Sequence, residues 1–332
     1  TTNHMKKFLI VGGLILSSVL APVRAIAATF SQIVVYGDSL SDLGRAAAAT
    51  STLPAQFKFP AYDNGGGRFS NGPIWVEYLA NRLGIATNPN TNFAIGGATT
   101  GTFNTGQTLS PSFVGIQQQV NPGNPAAEIS DPNALYVIWG GANDYLAGTT
   151  TDPRVPVGNL TSEIATLIQT RQAKNILIFN LPDLGKLPST RNDPTIAAGL
   201  DTLTLLHNTA LAASIDSLSQ ANSSVKLSLL DVNSLFKQVV ANPSIVGFDN
   251  ATDGCLLVGC PNPDTYLFWD DIHPTTATHR LIGDLAFQAV SPTSVPEPMT
   301  MLGSLMAFGS AVAFKRKLKS SKLTDKELVE SA

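Results

Sequence analysis

The stretch Ile33-Val34-Val35-Tyr36-Gly37-Asp38-Ser39-Leu40 decides the fold, because four apolar residues run directly into a turn that carries a serine. An apolar run without polar alternation is typical of a strand buried on both faces. Four further runs share this character, at residues 91–95, 135–139, 175–180 and 226–230. Strands of this kind indicate a parallel sheet, in which ligand sites gather beyond the carboxyl ends of the strands.

Helical patterns alternate with these apolar runs. Leu160, Ile164, Leu167 and Ile168 recur at the spacing of one helix face, and residues 281–289 repeat the same stripe. Helical patterns also occur at residues 74–83, 199–218 and 232–240. The alternation predicts an α/β fold, a three-layer α/β/α sandwich around a five-stranded parallel sheet.

The composition indicates one folded domain behind an export signal. Of the 332 residues, 43% are hydrophobic and 14% charged, and the formal net charge is −3. These values exclude disorder and give no attraction for nucleic acid. Lys6 and Lys7 precede an apolar run at 8–20, and Ala25-Ile26-Ala27 offers a small-x-small cleavage site. We therefore expect a signal peptide at 1–28 and the folded domain at 29–292; the alternative, a membrane anchor, has too short a run for the ~20 residues of a span.

Residues 293–332 have a different character from the domain. Val295-Pro296-Glu297-Pro298 precedes an uncharged, mostly apolar run at 299–314, and Lys315-Arg316-Lys317 follows directly. This order resembles the PEP-CTERM sorting signal, although thirteen residues, 320–332, extend beyond the basic cluster. The resemblance implies a short transmembrane helix at 299–314, transient membrane contact and an exosortase-like processing enzyme. The alternative, an ordinary core helix, fits the basic cluster less well.

The chain contains two cysteines, Cys255 and Cys260. In an oxidising compartment a pair at this spacing can form a disulfide if the backbone turns, and Gly259 and Pro261 favour a turn. The alternative, a metal site, lacks neighbouring ligands. We therefore expect a disulfide, no metal and no cofactor.

Ser39 stands where the first predicted strand ends, and a serine nucleophile needs a base to activate it. His273 is the best candidate, because it lies on a loop before the last helical pattern, whereas the other histidines fall in the leader or within helical patterns. Asp270 or Asp271 can accept a hydrogen bond from one ring nitrogen and so set the tautomer; spacing alone leaves both open. The alternative for Gly37-Asp38-Ser39 is an ordinary turn with a capping serine.

Two glycine-rich strand ends offer donors for an oxyanion: Ile95-Gly96-Gly97-Ala98 and Gly140-Gly141-Ala142-Asn143-Asp144. Glycine lets backbone N–H groups approach a ligand closely, and the Asn143 side chain adds an amide donor. Each segment is also a common turn composition, so the interpretation depends on their joint placement at strand ends.

Four blocks resemble the GDSL, or SGNH, hydrolase family and occur in that family's order. They are Gly37-Asp38-Ser39-Leu40, Asn92-Phe93-Ala94-Ile95-Gly96-Gly97, Gly141-Ala142-Asn143-Asp144 and Asp270-Asp271-Ile272-His273. The resemblance implies Ser39 as nucleophile, His273 as base and Asp270 as the orienting carboxylate. It also implies an oxyanion hole formed by Ser39 N–H, Gly97 N–H and Asn143, on a flavodoxin-like sheet.

Two further segments look like the phospholipase, lecithinase and plant-lipase-like branch of that family. They are Gly67-Arg68-Phe69-Ser70-Asn71-Gly72 and Tyr266-Leu267-Phe268-Trp269-Asp270. One departure is Gly44-Arg45, where members of this branch often have Gly-Asn; we expect Arg45 to alter the polarity of the acyl site.

The sequence thus predicts an exported serine ester hydrolase, an esterase or lipase that acts through an acyl-enzyme. Two alternatives stay open: an envelope polysaccharide deacetylase or acyltransferase with the same triad, and a surface-binding module without turnover. Lipid and short soluble esters remain equal candidates as substrates. Acceptor choice is expected to depend on the loops at 46–66 and 149–156, and apolar residues near Ala46 and at 57–62 are candidates to receive an acyl chain.

Overall fold

The computed structural model describes residues 30–60, 62, 66–121, 123 and 129–291. The predicted signal peptide at 1–28 and the predicted sorting tail at 293–332, with its helix at 299–314, lie outside these residues. Within the described ranges, no helix combines the length and the apolar character needed to cross a membrane.

The central sheet has four regular strands, all parallel and adjacent in chain order. They are β1 (Ile33–Gly37), β2 (Leu135–Trp139), β3 (Asn175–Phe179) and β4 (Lys226–Leu230). Every residue of β1 and β2 is buried, as expected when helices cover both faces of a parallel sheet. The predicted fold class, a parallel α/β sandwich, is confirmed.

The predicted fifth strand, at residues 91–95, differs from expectation. It runs along the free edge of β1, where Val35 N donates to Thr91 O at 2.9 Å and Phe93 N donates to Val35 O at 2.7 Å. Only one isolated parallel bridge, between Val35 and Asn92, joins it to the sheet. Asn92 Oδ1 accepts from Ala94 N at 3.0 Å, and such a local side-chain bond competes with a regular ladder. Among the described residues the sheet therefore has four regular strands and one irregular edge segment, and their order across the sheet is 91–95, β1, β2, β3, β4.

Within the described ranges the chain forms nine helices. They are α1 (Arg45–Thr50), α2 (Trp75–Leu83), α3 (Ile116–Val120), α4 (Ala142–Leu146), α5 (Arg154–Thr170), α6 (Pro194–Ala221), α7 (Val232–Ala241), α8 (Cys255–Val258) and α9 (Thr276–Val290). Helix α6 begins five residues before the predicted start at 199, because Asp193 Oδ1 accepts from Thr195 N and Ile196 N and Pro194 occupies the first helical position.

Successive strand residues point to opposite faces and build two separate cores. Val35 and Val137 pack with α2, α7 and α9 on one face. Tyr36 and Ile138 pack with α3, α5 and α6 on the other face. Helices thereby cover both faces of the sheet, and the carboxyl ends of its parallel strands all lie at the same end of the sheet.

A second, parallel pair of strands lies beside this end and was not expected from the sequence. β5 (Asn250–Gly254) pairs with β6 (Tyr266–Phe268). The composition of β5 hides it, because Asn, Asp and Gly are depleted in strands. Between the two strands, Cys255 and Cys260 form a disulfide, and Leu256 N donates to Trp269 O at 2.7 Å. The pair therefore braces the segment that leads into Asp270.

Candidate active site

Ser39 lies in a tight turn at the carboxyl end of β1 and is 8% exposed. Leu40 N donates to Asp38 Oδ1 at 3.0 Å, and Ser41 N donates to Asp38 O at 3.1 Å. The Gln119 side chain both donates to and accepts from the Gly37 backbone, at 2.8 Å each. These bonds end the strand and hold the serine at the edge of the sheet.

His273 comes within hydrogen-bond reach of Ser39 across 234 positions of sequence. Its Nε2 lies 2.8 Å from Ser39 Oγ, and its Nδ1 lies 2.7 Å from Asp270 Oδ2. In the tautomer with a proton on Nδ1, the ring donates to Asp270 and accepts from Ser39. Asp271 is exposed, and its backbone carbonyl accepts from Ser189 N. Geometry thus selects Asp270 as the partner of the ring, an assignment that spacing left open.

The Asp270 carboxylate is enclosed by donors. Oδ1 accepts from Ile272 N at 2.9 Å and from His273 N at 2.6 Å, and Oδ2 accepts from Tyr62 OH at 2.8 Å as well as from His273. Burial works to raise the pKa of Asp270, but the charge of His273 and the hydrogen bonds from His273 and from Ile272 N outweigh it and lower the pKa to about 2. Asp270 is therefore ionised throughout the neutral range.

Two opposing effects set the pKa of His273. Burial lowers it, but the charge of Asp270 and the hydrogen bond to it raise it more, so the net shift is upward from 6.5. A base must be neutral to accept a proton, so activity that depends on His273 is expected to fall as the pH drops through this raised value.

The three groups predicted as oxyanion donors differ in their hydrogen bonding. Gly97 has φ 79°, and neither its N–H nor the Ser39 N–H donates to an acceptor among the described residues. Asn143, in the first turn of α4, donates through Nδ2 to Ala98 O at 2.9 Å and makes a long contact of 3.5 Å with Asp38 Oδ2. The contact with Asp38 is weak enough for a ligand oxygen to replace it.

Two buried carboxylates, whose roles were not recognised from the sequence, tie the donor loops together. Asp42 Oδ2 accepts from Gly96 N at 2.9 Å and so links the Ser39 turn to the Gly96-Gly97 loop. Asp144 accepts from Thr100 N at 3.0 Å and from Thr100 Oγ1 at 2.7 Å, which links α4 to the same loop. A carboxylate next to a motif residue was the only signal available in the sequence.

The segment at 67–72, noted above only as a resemblance, holds the loop that carries His273. Ser70 Oγ donates to Pro274 O at 2.9 Å, and Asn71 Oδ1 accepts from Thr276 N at 2.8 Å. The Phe69 ring centroid lies 5.1 Å from that of His273. Phe69 also packs on Gly96 so closely that a Cβ there would collide with its ring.

An apolar cleft that opens to solvent begins at Ser39. Besides Asp38, Ser39 and Asn143, its lining is apolar: Leu40, Trp139, Ala142, Leu146, Pro182, Leu184, Leu187, Phe236, Ile272 and Pro274. The loops proposed to receive an acyl chain, near Ala46 and at 57–62, are absent from this lining. Arg45, which we expected to alter the polarity of the acyl site, does not line this cleft; its guanidinium donates to Asn92 O and lies over the Phe93 ring.

The other two histidines among the described residues do not join the site. His207 is buried and its Nδ1 bonds the Tyr145 hydroxyl at 3.0 Å. His279 is buried within α9. In the described part of the chain, no three His, Cys, Asp or Glu side chains are grouped so as to hold a metal ion.

Replacing Gly97 with alanine is expected to lower kcat/KM by about 10²–10³-fold, the effect of losing one oxyanion donor. A Cβ at this position would collide with Thr105 Oγ1 and approach Asn104 Oδ1 to 2.8 Å. The matched control is Gly84→Ala, which also has a positive φ, 68°, but has nothing within 4 Å of the added Cβ. Gly84→Ala should lose about 1 kcal/mol of stability and keep its activity. Equal kcat/KM values for the two variants, measured on purified protein, would contradict the assignment.

Comparison with known families agrees with this geometry. The profile of the GDSL-like lipase/acylhydrolase family matches residues 33–286. The chain belongs to this family. As a GDSL-family member it is a carboxylic ester hydrolase.

Individual relatives have low sequence identity to this chain, but the similarity extends over most of its length. Phosphatidylcholine-sterol acyltransferase of Aeromonas hydrophila is 29% identical over 77% of this chain and 89% of that protein. Esterase EstA of Pseudomonas aeruginosa is 30% identical over 96% of this chain and 55% of that protein. Among solved structures, an aryl esterase of M. smegmatis is 18% identical, with a TM-score of 0.47 over 78% of this chain and 97% of that one. The GDSL block itself is Gly37-Asp38-Ser39-Leu40, in the turn at the end of β1.

Proposed function

We propose that this GDSL hydrolase cleaves esters by two-step acyl transfer, with Ser39 as nucleophile, His273 as general base and Asp270 as orienting carboxylate. The observation that carries the proposal is the continuous hydrogen-bonded chain from Ser39 Oγ through both nitrogens of His273 to Asp270. This is the arrangement by which a base activates a serine and is itself oriented by a third group.

In the first step, Ser39 Oγ attacks the ester carbonyl carbon while its proton passes to His273 Nε2. The carbonyl oxygen becomes negative and accepts from Ser39 N–H, Gly97 N–H and the Asn143 amide, which gives up its long contact with Asp38. The tetrahedral intermediate collapses, the bond to the alcohol oxygen breaks, and His273 returns the proton to the leaving alcohol. The product of this step is an ester of Ser39.

In the second step, water gives a proton to His273 Nε2 and attacks the acyl carbon. The proton then returns to Ser39 Oγ as the acid leaves.

The protonation state of Asp38, beside the donor Asn143, affects the stability of the oxyanion. Burial raises the pKa of Asp38 to about 7. Near neutral pH a large fraction of Asp38 is uncharged and repels the oxyanion less than a carboxylate would.

The apolar cleft at Ser39 supports an acyl chain as the group that the enzyme transfers. Each buried methylene contributes about 0.8 kcal/mol, or about fourfold in kcat/KM, when the chain is bound in the transition state. For p-nitrophenyl esters of increasing acyl length, kcat/KM is therefore expected to rise by up to about fourfold per methylene until the cleft is filled.

A substitution in the cleft tests this assignment. Leu146, the last residue of α4, lines the cleft, and Leu146→Trp is expected to shift the preferred acyl length to shorter chains. Leu205→Trp is the matched control, because Leu205 lies on α6 and is 64% exposed. If the two variants and the parent protein share one chain-length profile, the acyl chain does not occupy this cleft.

Acyl transfer to an alcohol in place of water is a second candidate, favoured by the similarity to the phosphatidylcholine-sterol acyltransferase of Aeromonas hydrophila. The acyl-enzyme is common to both outcomes. Adding an alcohol acceptor to the assay and measuring the ratio of new ester to free acid distinguishes them; free acid alone would favour hydrolysis. A polysaccharide deacetylase would instead prefer acetyl esters in the chain-length series.

We further propose that the protein is exported to the cell envelope or surface and belongs to the phospholipase, lecithinase and plant-lipase-like branch. Export is supported by the leader at 1–28 and by the disulfide between Cys255 and Cys260, since disulfides persist in oxidising compartments. The tail at 293–332 is proposed to contact the membrane transiently and to be removed by an exosortase-like enzyme. Mass spectrometry of both ends of the mature protein tests this; unprocessed ends would contradict it.

A further inference from the structure

We propose that Tyr62 is a positioning residue of the catalytic machinery, whose hydroxyl anchors Asp270 and tempers its attraction for the imidazolium of His273. This inference rests on the proposed function of Ser39, His273 and Asp270. Tyr62 belongs to none of the motifs found in the sequence, and 208 positions separate it from Asp270.

The contact that carries the inference is the hydrogen bond from Tyr62 OH to Asp270 Oδ2, at 2.8 Å. The same oxygen accepts from His273 Nδ1 at 2.7 Å. Tyr62 and the imidazole therefore share one acceptor atom, so the phenol withdraws electron density from the oxygen that must stabilise the imidazolium. A change at the phenol is transmitted to His273 through a single atom.

The phenol is also suited to act as a permanent donor. Burial raises the pKa of Tyr62, and the neighbouring Asp270 carboxylate raises it further, so the hydroxyl keeps its proton at any pH at which the enzyme works. The Tyr62 ring packs edge-on against Trp269, with centroids 5.9 Å apart and an interplanar angle of 84°. This packing helps to hold the hydroxyl at Asp270.

The four donors to Asp270 have separate tasks. The N–H groups of Ile272 and His273 hold Oδ1, and they belong to the same loop as the carboxylate. Tyr62 is the donor that reaches Asp270 from a distant part of the chain, the segment between α1 and α2. It thereby couples the loop expected to influence acceptor choice to the basicity of the catalytic histidine.

The test is the pH profile of kcat/KM for Tyr62→Phe, which keeps the ring on Trp269 and removes only the hydroxyl. Without the phenol, Asp270 attracts the imidazolium more strongly, so the pKa of His273 rises and the acid limb moves to higher pH, by about half a unit or more. On the alkaline plateau kcat should fall by less than about tenfold, because three of the four donors remain. Asp270→Asn, measured in parallel, should move the acid limb in the opposite direction.

Tyr78→Phe is the matched control. Its hydroxyl bonds Thr276 Oγ1 at 2.8 Å, at the start of the helix that follows His273, and does not contact the triad. It should leave the acid limb in place. The chemical shift of the His273 Nδ1 proton gives a second readout, expected to change in Tyr62→Phe and not in Tyr78→Phe.

The outcomes separate the two proposals. An upward shift of the acid limb in Tyr62→Phe alone supports the positioning role. An unchanged limb and an unchanged proton resonance, in a variant that melts at the parent temperature, overturn it, whatever happens to kcat. If Asp270→Asn itself has parental activity and pH dependence, the proposed triad fails, and the role of Tyr62 fails with it.

Discussion

Ser39→Ala is expected to lower kcat/KM for p-nitrophenyl esters by at least about 10⁴-fold, because no acyl-enzyme can form without the hydroxyl. His273 Nε2 would then have no proton to take from residue 39, and only the oxyanion donors would remain to assist direct attack by water. Steady-state hydrolysis by purified protein, with the background rate subtracted, measures the effect.

Ser51→Ala is the matched control for this substitution. Ser51 is exposed at the end of α1, and its hydroxyl bonds only the Ala48 carbonyl within the same helix, so its loss should leave kcat/KM unchanged. If Ser39→Ala hydrolyses esters as fast as Ser51→Ala, the ester hydrolysis does not proceed through Ser39. A surface-binding protein without turnover would show no difference between parent and either variant.

Asp270→Asn is expected to lower kcat by about 10³–10⁴-fold, because an amide in place of the carboxylate favours the wrong tautomer of the imidazole. With a proton on Nε2, His273 can no longer accept one from Ser39. The neighbouring substitution Asp271→Asn should change kcat by less than about threefold, since Asp271 is exposed and its hydrogen bond with Ser189 is made through the backbone carbonyl. The pair of variants measures directly which of the two adjacent carboxylates works.

The pH profile adds a second criterion for Asp270. Its charge and hydrogen bond raise the pKa of His273 against the effect of burial. In Asp270→Asn the burial remains and the charge is gone, so the pKa of His273 falls and the residual activity should persist to lower pH than in the parent. A loss of activity in Asp271→Asn equal to that in Asp270→Asn would overturn the geometric assignment.

Much of the fold was accessible from local pattern. The runs that became β1 and β2 are apolar throughout, because both faces of each strand are covered by helices. The edge segment at 91–95 shows where this reasoning ends. Its composition matches a strand. However, the side chain of Asn92 accepts from the backbone N–H of Ala94, and the segment pairs with β1 alone, through one isolated bridge. Pairing depends on hydrogen bonds that a single segment does not contain.

The candidate site likewise contains features that the sequence predicted and features that it did not. Gly97 and Asn143 were predicted because their chemistry appears at predicted strand ends. Asn143 lies in the first turn of α4, shortly after β2, and Gly97 follows the irregular edge segment at 91–95. The apolar cleft at Ser39 was not predicted, because its walls come from the ends of β2 and β3 and from α7, far apart in sequence. Arg45 was expected near the acyl site, but its planar guanidinium stacks on Phe93 instead.

The sequence by itself determined the parallel α/β class, the positions of the four regular strands of the central sheet and the residue types able to carry out acyl transfer. These properties follow from local periodicity and side-chain chemistry. Residue spacing left Asp270 and Asp271 open, and the family resemblance favoured Asp270. The tertiary structure placed Asp270 on the imidazole, located the cleft, and brought Tyr62 to the carboxylate of Asp270. Those features depend on angstrom-scale distances between segments up to 234 residues apart, which packing sets and no local pattern encodes.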